Sequence, residues 1–420
     1  MTAPPLGRDY RLLWSAAVSS RLGDALRTPA LALLAATLTR DPRVIAAVTV
    51  AGQLPPLLFG LLGGVYADRW DRRRTMAVVD GLRAAVIGAL ALAIALDRAG
   101  VAALVTVAFL LAALGTLFDA ASFAMLPSVV PPAALPRANG RLQAGSAVAG
   151  GFLGAPAAGV LFALAAPLPF AVDALTFLCA ALLTLALRPV PPSPHAHPGR
   201  RSVWREGVEG VRWVRGDAML WRLTVATAGS NLAISGLMAV LVLYALDVLR
   251  VPPAGYGLFA AGAVLGGLAG GLGAGRLAAR LGTVPALRVV LAGQAVALTG
   301  LALARHPVPG GLALAVFAAG TTVWNGLWAS YGQRHVPPAL LGRVGASQRM
   351  VGLLTAPVGA ALAGMAGAAY GVGPVAAAVA GVFVLVTLAA WRTLRPAAPA
   401  PAAGPTSVAT AARPGRRPSR

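Results

Sequence analysis

The chain has 420 residues, of which 58% are apolar and 11% are charged, and its mean hydropathy is +0.75. Soluble domains carry about 25% charged residues, so this composition excludes a soluble fold. All 35 basic residues are arginines, against 13 acidic residues, and the formal net charge is +22. The one cysteine, Cys179, lies in an apolar run, so no internal disulfide is expected.

The apolar residues form runs of about 20 to 30 residues, and about 20 residues of helix cross the hydrocarbon layer of a bilayer. The runs are continuous stretches of Ala, Leu, Val and Gly, whereas the strands of a membrane barrel alternate apolar and polar residues. The sequence therefore predicts an all-α membrane protein. The twelve predicted spans are 11–37, 44–67, 75–96, 100–126, 141–165, 167–188, 219–247, 255–279, 286–304, 308–333, 344–370 and 373–394.

The arginines are distributed unequally between the two sides of these spans. With both termini on the same side, the segments on that side hold 27 arginines, the opposite loops hold five, and three lie within spans. Arginine beside a span resists translocation and stays in the cytoplasm. The distribution predicts an inner-membrane protein with both termini cytoplasmic, and it accounts for the net charge without a nucleic-acid partner.

The two halves of the sequence match at a nearly constant shift. Gly64–Arg69 precedes Gly275–Arg280 by 211 residues, and Val130–Ala133 precedes Val336–Ala339 by 206. Gly23 and Asp24 likewise precede Ser230 and Asn231 by 207. Correspondences that keep their order predict two related six-helix bundles. We assign them to 1–188 and 218–395.

A proline-rich linker, 189–217, separates the predicted bundles. Trp204, Val208 and Val211 recur at helical spacing among arginines, so part of the linker is expected to lie along the membrane surface, although a solvated connector is an equal alternative. His195 and His197 lie in the proline tract, where such a pair is more commonly inert, so no metal or other cofactor is expected. The Pro/Ala-rich tail, 396–420, is predicted to be disordered.

The most distinctive local pattern follows the second span. It reads glycine (Gly64), three residues, Asp68, Arg69 and then a basic cluster, and a weaker copy ends at Arg280. This pattern resembles the signature loop of the major facilitator superfamily. Two positions depart from it: Asp71 stands where the pattern usually has glycine, and Ala279 replaces the acid in the second copy.

Further phrases are similar to the superfamily's bacterial drug and siderophore exporters, the branch of macrolide efflux proteins and the enterobactin exporter. Family members often carry a basic residue where Ser122 stands here. The resemblance extends over residues 8–395 and implies twelve helices in two pseudo-symmetric six-helix bundles. The phrases are Gly23–Asp24, Asp80–Arg83, Phe118–Ala121 with Leu126–Pro127, Asp173–Phe177 and Glu209–Arg212.

We interpret the signature loop as an inner gate. Gly64 permits close helix approach, and Asp68 is placed to meet a cation or a helix N-terminus across the interface between the halves. The basic residues Arg69, Arg72 and Arg73 belong to the same motif. The alternative is that these arginines only anchor the topology, but anchoring does not require Gly64 or Asp68.

The fifth span carries a face of small residues with a proline: Gly150, Gly154, Pro156 and Gly159. Glycines at this spacing allow two helices to pack closely, and proline bends a helix. The pattern resembles the glycine-proline motif of the superfamily's antiporters, with Ala155 inserted between the expected Gly and Pro. Ordinary packing is an equal interpretation, because the chain contains 50 glycines.

Ionisable residues within spans are the candidate functional residues. A charge in mid-membrane costs roughly 2.5 to 3.5 kcal/mol on insertion scales, so it needs a partner, a proton or a wet cavity. Asp24 lies in the middle of the first span, with Arg21 and Arg27 one turn to either side. We expect this face to line a cavity between the halves. Asp24 either exchanges a proton or meets a cationic substrate, or it forms a structural Arg-Asp-Arg cluster.

Other polar residues in the spans extend this wall. Asp119 is a second candidate for proton coupling or cation contact, and Asn231 is the counterpart of Asp24 in the second half. Asp173 is expected to be structural, and Asp80 and Arg83 are expected to pair with each other. Gln53, Gln294, Asn325, Phe317, Trp324 and Trp328 add polar and aromatic groups.

These features predict a secondary exporter that moves a hydrophobic or amphipathic compound outward as protons move inward. Its expected partners are a small-molecule substrate, protons and membrane lipids, and the expected state is a monomer. Movement of lipid or lysolipid, uptake of a small anion, and a non-transporting receptor are alternatives. A membrane-embedded enzyme is disfavoured because the four histidines are scattered, and the sequence has no Walker loop for ATP hydrolysis.

Overall fold

The structure is a computed structural model that describes residues 6–69, 71–131, 134–188, 211–336 and 341–393, with some side chains within these ranges not described. Every regular element in these ranges is helical. Residues 211–216 form a short helix, while the rest of the predicted linker up to 210 and the predicted tail lie outside the described residues. The long helices are α1 (Arg8–Leu38), α2 (Pro42–Arg69), α3 (Arg72–Ala95), α4 (Val101–Val129), α5 (Leu135–Ala147, Val148–Gly154 and Ala155–Leu164), α6 (Leu168–Leu185), α7 (Ala218–Leu243 and Tyr244–Val248), α8 (Pro253–Leu281), α9 (Thr283–Leu303), α10 (Pro307–His335), α11 (Leu341–Tyr370) and α12 (Val372–Thr393).

Each predicted span corresponds to one of these helices. Eleven of them are long and apolar enough to cross a membrane, and α1 is the exception because Arg21, Asp24 and Arg27 lie in its middle. The predicted turn between the fifth and sixth spans is confirmed, since α5 ends at Leu164 and α6 begins at Leu168. The sequence did not predict that Val148–Gly154 is π-helical, ending two residues before Pro156. A π-helical turn beside a proline absorbs the lost backbone hydrogen bond.

Helix packing repeats from one half to the other. In the first half α1 packs on α5 and α6, α2 packs on α4, and α3 packs on α4 and α6. In the second half α7 packs on α11 and α12, α8 packs on α10, and α9 packs on α10 and α12, which are the equivalent contacts. Across the halves α2 packs on α11 and α5 packs on α8, which is the same pair of contacts with the halves exchanged. This pattern is a pseudo-twofold arrangement of two six-helix bundles.

An arginine caps the end of the last helix in each bundle. Arg73 of α3 donates to the carbonyl oxygen of Leu185 at the end of α6, and Arg288 of α9 donates to the carbonyl oxygen of Trp391 at the end of α12 at 2.8 Å. Cations are favourable at helix C-termini, because the last carbonyl groups lack intrahelical donors. The two contacts join equivalent pairs of helices in the repeat.

The halves meet most closely at the end of the molecule that carries residues 39–41 and 249–252, here called the distal end. The opposite end, where α1 begins and α12 ends, is called the terminal end. At the distal end Gly159 of α5 and Gly257 of α8 lie in backbone contact, so that a Cβ on either would overlap the other helix. Gly364 of α11 packs in the same way on Pro42 and Ala46 of α2. The distal end is therefore closed.

Candidate functional site

A cavity of about 630 Å³ lies between the two halves, below the closed distal end. Residues of α1, α2, α4, α5, α7 and α8 line it, so both bundles contribute. Most of the residues that line the cavity are aliphatic. The volume of the cavity falls within the range of small-molecule pockets. The polar lining residues are Arg27, Thr28, Thr49, Gln53 and Tyr256.

Arg27 connects this cavity to a network of charges inside the first bundle. Its Nη2 lies 2.6 Å from Asp24 Oδ1, and Asp24 Oδ1 also accepts from Arg83 Nη2 at 3.2 Å. Arg21 Nη1 is 3.9 Å from Asp24 Oδ2. Asp24 therefore lies among the guanidinium groups of three arginines. Of these three, Arg27 lines the cavity, and it separates Asp24 from it.

Two fully buried carboxylates complete the inner part of the network. Arg27 Nη1 lies 3.5 Å from Asp173 Oδ2 of α6, and Arg83 Nη1 lies 3.4 Å from Asp80 Oδ1 of α3. The expected pairing of Asp80 with Arg83 is present. Arg83 also reaches Ser20 Oγ at 3.1 Å, so it holds α1 against α3.

Asp119 of α4 forms the outer arm of the network. Its Oδ1 accepts from Arg21 Nη2 at 3.1 Å, and the two side chains are 62% and 50% exposed. This pair links α1 to α4, at the part of α4 nearer the terminal end. The sequence placed Asp119 and Arg21 in separate spans, and the structure brings them together.

Aromatic rings cover the buried guanidinium groups. Arg83 Cζ lies 4.4 Å from the centroid of the Phe177 ring and 5.6 Å from that of Phe118, and Arg27 Cζ lies 5.7 Å from the Phe177 ring. A ring face stabilises a cation electrostatically while excluding water. Phe118 and Phe177 belong to the sequence phrases singled out above, and the structure gives both a contact with the network.

Gly23 allows α1 to approach α6 at the network. A Cβ at Gly23 would overlap Oδ1 of Asp173 and the hydroxyl of Thr176. The phrase Gly23–Asp24 therefore combines a close helix approach with the central carboxylate. Sequence reasoning did not identify this packing role.

The three glycines of the predicted fifth-span motif lie in three different surroundings. Gly154 packs against Ala25 of α1 within the first half, and Gly159 packs on α8 across the halves. Gly150 lines the cavity and has no neighbouring atom within 4 Å of the position of a Cβ. They do not form one continuous packing face, because the π-helical turn between Gly150 and Pro156 shifts the helical register.

The predicted inner-gate motif is described only in part. Gly64, Asp68 and Arg69 end α2, and their side chains lie outside the described residues. Among the basic residues, Arg72 Nη1 lies 3.4 Å from Ser128 Oγ of α4. Together with the bond from Arg73 to α6, this contact lies within the first half.

Asp71 has a structural role that explains its departure from the signature pattern. It is the N-cap of α3, and its side chain accepts from the backbone N–H of Arg74 at 3.2 Å. Aspartate is among the preferred N-cap residues because its carboxylate satisfies an otherwise free backbone donor.

Two side-chain hydrogen bonds join polar residues on different helices of the second half. Gln294 donates to Thr321 Oγ1 at 2.9 Å, and Trp324 donates to Thr227 Oγ1 at 3.2 Å. Asn231 is half-buried on α7, beside Gly352 of α11. The middle parts of α7 to α12 contain no Asp, Glu, Arg or His, so the charge network belongs to one bundle. Among the residues described, no three or more His, Cys, Asp or Glu side chains are grouped to hold a metal ion.

Two matching six-helix bundles, embedded in a membrane around a central cavity, define the architecture of a secondary transporter. The sequence profile of the Major Facilitator Superfamily matches residues 13–360. The chain belongs to this superfamily, and it is a transporter rather than an enzyme. None of the curated proteins matches the sequence.

Solved transporters share the fold at low sequence identity. A mutant of the nucleoside transporter NupG superposes with a TM-score of 0.76 at 14% identity, covering 91% of this chain and 100% of its own. A bacterial homologue of the human lysosomal transporter Spinster, inward-facing and unoccupied, gives 0.74 at 16% identity, covering 94% of this chain and 98% of its own.

A bacterial homologue of the iron transporter ferroportin has been solved in two states. The inward-facing state gives a TM-score of 0.75 at 16% identity and covers 94% of this chain and 100% of its own. The outward-facing state gives 0.58 at 18% identity, covering 92% and 99%. Of these two, the inward-facing arrangement of the halves is the more similar to this structure.

Proposed function

We propose that the chain is a secondary active exporter that moves hydrophobic or amphipathic small molecules, of the drug, macrolide or siderophore kind, out of the cell as protons move in. The observation that carries this proposal is the charge network at the wall of a mostly aliphatic cavity. An apolar wall suits an amphipathic solute, and a mid-membrane carboxylate marks a proton path.

Transport follows from exchange between two states. The closed distal end faces outward, and rocking of the halves about the cavity opens it while the terminal end closes. In this proposal Asp24, Arg21, Arg27, Asp119 and Asn231 form the coupling and substrate region. The inner gate consists of Gly64, Asp68, Arg69, Arg72 and Arg73, and the α5 glycines with Pro156 permit the movement.

The experiment that tests this function is a compound screen in cells that lack their own pumps, comparing wild type with Asp24→Asn. We expect the wild type to lower accumulation of some amphipathic compounds, with the effect abolished by a protonophore. Asp24→Asn removes the counter-ion that Arg27 and Arg83 share, and it should abolish the effect. Asp97→Asn is the matched control because Asp97 lies in an exposed turn between α3 and α4. Unchanged efflux in Asp24→Asn at equal expression would refute the assigned site.

The proposed orientation places the protein in the inner membrane as a monomer, with the linker and both termini in the cytoplasm. Two kinds of reporter protein are inserted in the 189–210 segment. One that matures in the cytoplasm should be active, and one that requires export should be inactive. Activity of an export-dependent reporter at the same position would reverse the orientation, and with it the assignment of the distal end as outward.

A second candidate function is uptake of a small anion. The observation that favours it is Arg27, a cation on the cavity wall. Against it, Arg27 already bonds two carboxylates, which leaves its guanidinium little capacity for another anion. The same cells separate the candidates: accumulation of a labelled organic anion above the control strain would favour uptake.

A further inference from the structure

We propose that Asp173 of α6 is the carboxylate that takes up the transported proton, and that Arg27 relays its change of charge to the cavity. The inference rests on the proposed proton coupling. It assigns the proton to a residue that the sequence pattern favours as structural, and it distinguishes this residue from Asp24.

The charges of the network do not balance. Three guanidinium groups and four carboxylates form it: Arg21, Arg27, Arg83, Asp24, Asp80, Asp119 and Asp173. With all seven ionised, the network carries one net negative charge inside the membrane. A single proton removes this charge, and burial of an unneutralised charge is far more costly than burial of a neutral acid.

Hydrogen bonds show which carboxylates are well stabilised. Asp24 accepts at 2.6 and 3.2 Å from two arginines, and Asp119, whose side chain is 62% exposed, accepts from Arg21 at 3.1 Å. Asp80 and Asp173 are both 0% exposed, and each is held by one long bond of 3.4 or 3.5 Å. The second carboxylate oxygen of each, Asp80 Oδ2 and Asp173 Oδ1, is buried and has no hydrogen-bond partner.

Access to the cavity selects Asp173 over Asp80. Asp173 bonds to Arg27, which lines the cavity, whereas Asp80 bonds to Arg83 behind the Phe118 and Phe177 rings. The free oxygen of Asp173 lies against the backbone of Gly23, and the neighbouring Thr176 hydroxyl donates to the backbone carbonyl of Asp173 instead, so this oxygen is left without a donor.

The charged groups that face Asp173 come from two neighbouring helices. They are Arg27 and Asp24 of α1, and Arg83 and Asp80 of α3. On α5, which also packs on α6, the described charged residues are Arg137 and Arg141, near the terminal end. The two nearer arginines are shared with other carboxylates, so neither neutralises Asp173 alone.

Proton transfer between cavity water and Asp173 changes the charge that Arg27 faces. A proton leaves water in the cavity and bonds to a carboxylate oxygen of Asp173, which becomes a neutral acid. Arg27 then retains Asp24 as its only anionic partner, and the tie from α1 to α6 loosens. When the cavity faces the opposite side, the proton returns to water and the tie forms again.

The direct test uses infrared difference spectroscopy of the purified full-length chain in liposomes, without any substrate. Titration from acidic to alkaline pH should convert a protonated carboxylic acid band to a carboxylate band in wild type. Asp173→Asn should lose this band, Asp80→Asn should retain it, and Asp173→Glu should retain a titrating acid at a shifted frequency. A band that persists in Asp173→Asn, or disappears in Asp80→Asn alone, would overturn the assignment. If Asp173→Asn does not fold, an unshifted band in Asp173→Glu would also overturn it.

A transport measurement separates this inference from the proposed function. Ethidium, an amphipathic cation, is followed in proteoliposomes under an imposed pH gradient and in exchange without a gradient. Asp173→Asn should lose gradient-driven transport by on the order of tenfold or more and keep exchange. If wild type shows neither activity with ethidium or with any compound active in the screen, the proposed function fails. If wild type is gradient-driven and Asp173→Asn is equally so, only the inference fails.

Discussion

Arg27 donates to carboxylates on two helices, Asp24 on its own helix and Asp173 on α6, and it also faces the cavity. A guanidinium group has five N–H donors in a planar fork, so one arginine can join two carboxylates on different helices. In the proposed mechanism, Arg27 is the residue through which the substrate in the cavity and the proton on Asp173 influence each other.

The sequence predicted only part of this network. Pairs at i and i+3, such as Asp80 with Arg83, follow from the helical period, which is a local property. The bonds from Arg83 to Asp24 and from Arg27 to Asp173 join different helices, and they depend on which helices are neighbours in the bundle. The sequence did show that spans 1, 3, 4 and 6 contain ionisable residues, and such residues require partners in a membrane.

Arg83 is predicted to be essential for stability. Its replacement in Arg83→Met leaves Asp80 without a cation and Asp24 with one fewer, and breaking a buried pair in this way costs about 3–5 kcal/mol. We expect a much lower midpoint in a thermal unfolding assay in detergent. Arg98→Met is the control, because Arg98 is exposed in a loop. Equal midpoints for the two variants would show that the buried network contributes little.

Gly23 is predicted to tolerate no side chain. In Gly23→Ala the new Cβ overlaps Asp173 and Thr176, so α1 and α6 must separate, and overpacking of this kind costs about 1–3 kcal/mol. Gly81→Ala on α3 is matched to it, since a Cβ there meets nothing within 4 Å. In the same thermal assay, the unfolding midpoint of Gly23→Ala should lie well below that of Gly81→Ala. The reverse order would exclude the close approach of α1 and α6.

At the scale of elements, α5 shows how far pattern reading extends. The run of small residues predicts close packing of α5, because glycine exposes the helix backbone. It did not predict which neighbour each glycine meets. Gly154 faces α1, Gly159 faces α8 and Gly150 faces the cavity, and the π-helical turn responsible for this register has no simple signature in the sequence.

The crossing of α5 with α8 is predicted to control closure of the distal end. A Cβ in Gly257→Ala overlaps the carbonyl oxygen of Ala155, whereas Gly262→Ala on the same helix meets nothing within 4 Å. Spin labels at positions 98 and 305, in distal loops of opposite halves, report the separation in a Cys179→Ser background. Gly257→Ala should lengthen this distance relative to Gly262→Ala. An unchanged distance would mean that the crossing does not determine closure.

At the scale of the whole molecule, the helix contacts are symmetric and the charges are not. The repeat in the sequence correctly predicted the paired bundles, because both copies keep the residues that shape helix ends and crossings. The charge network, in contrast, lies in the first bundle alone. We infer that the first bundle carries proton coupling and the second mainly supplies the opposite wall of the cavity.

An exposed ion pair also connects the halves at the distal end. Arg40 Nη1 lies 3.0 Å from Asp247 Oδ1, and both side chains are at least half exposed. Exposed pairs contribute about 0–1 kcal/mol and are screened by salt. Asp247→Asn is therefore expected to lengthen the distance between positions 98 and 305 less than Gly257→Ala does, and a larger effect would show that the ion pair outweighs the glycine crossing.

The proposed transport cycle requires that the two halves open the cavity to either side in turn. The most direct test measures two distances in one set of samples: positions 98 and 305 at the distal end, and positions 74 and 281 at the terminal end, each pair spanning the two halves. As pH is changed, we expect one distance to lengthen while the other shortens. Two distances that stay fixed, or that change in the same direction, would contradict it.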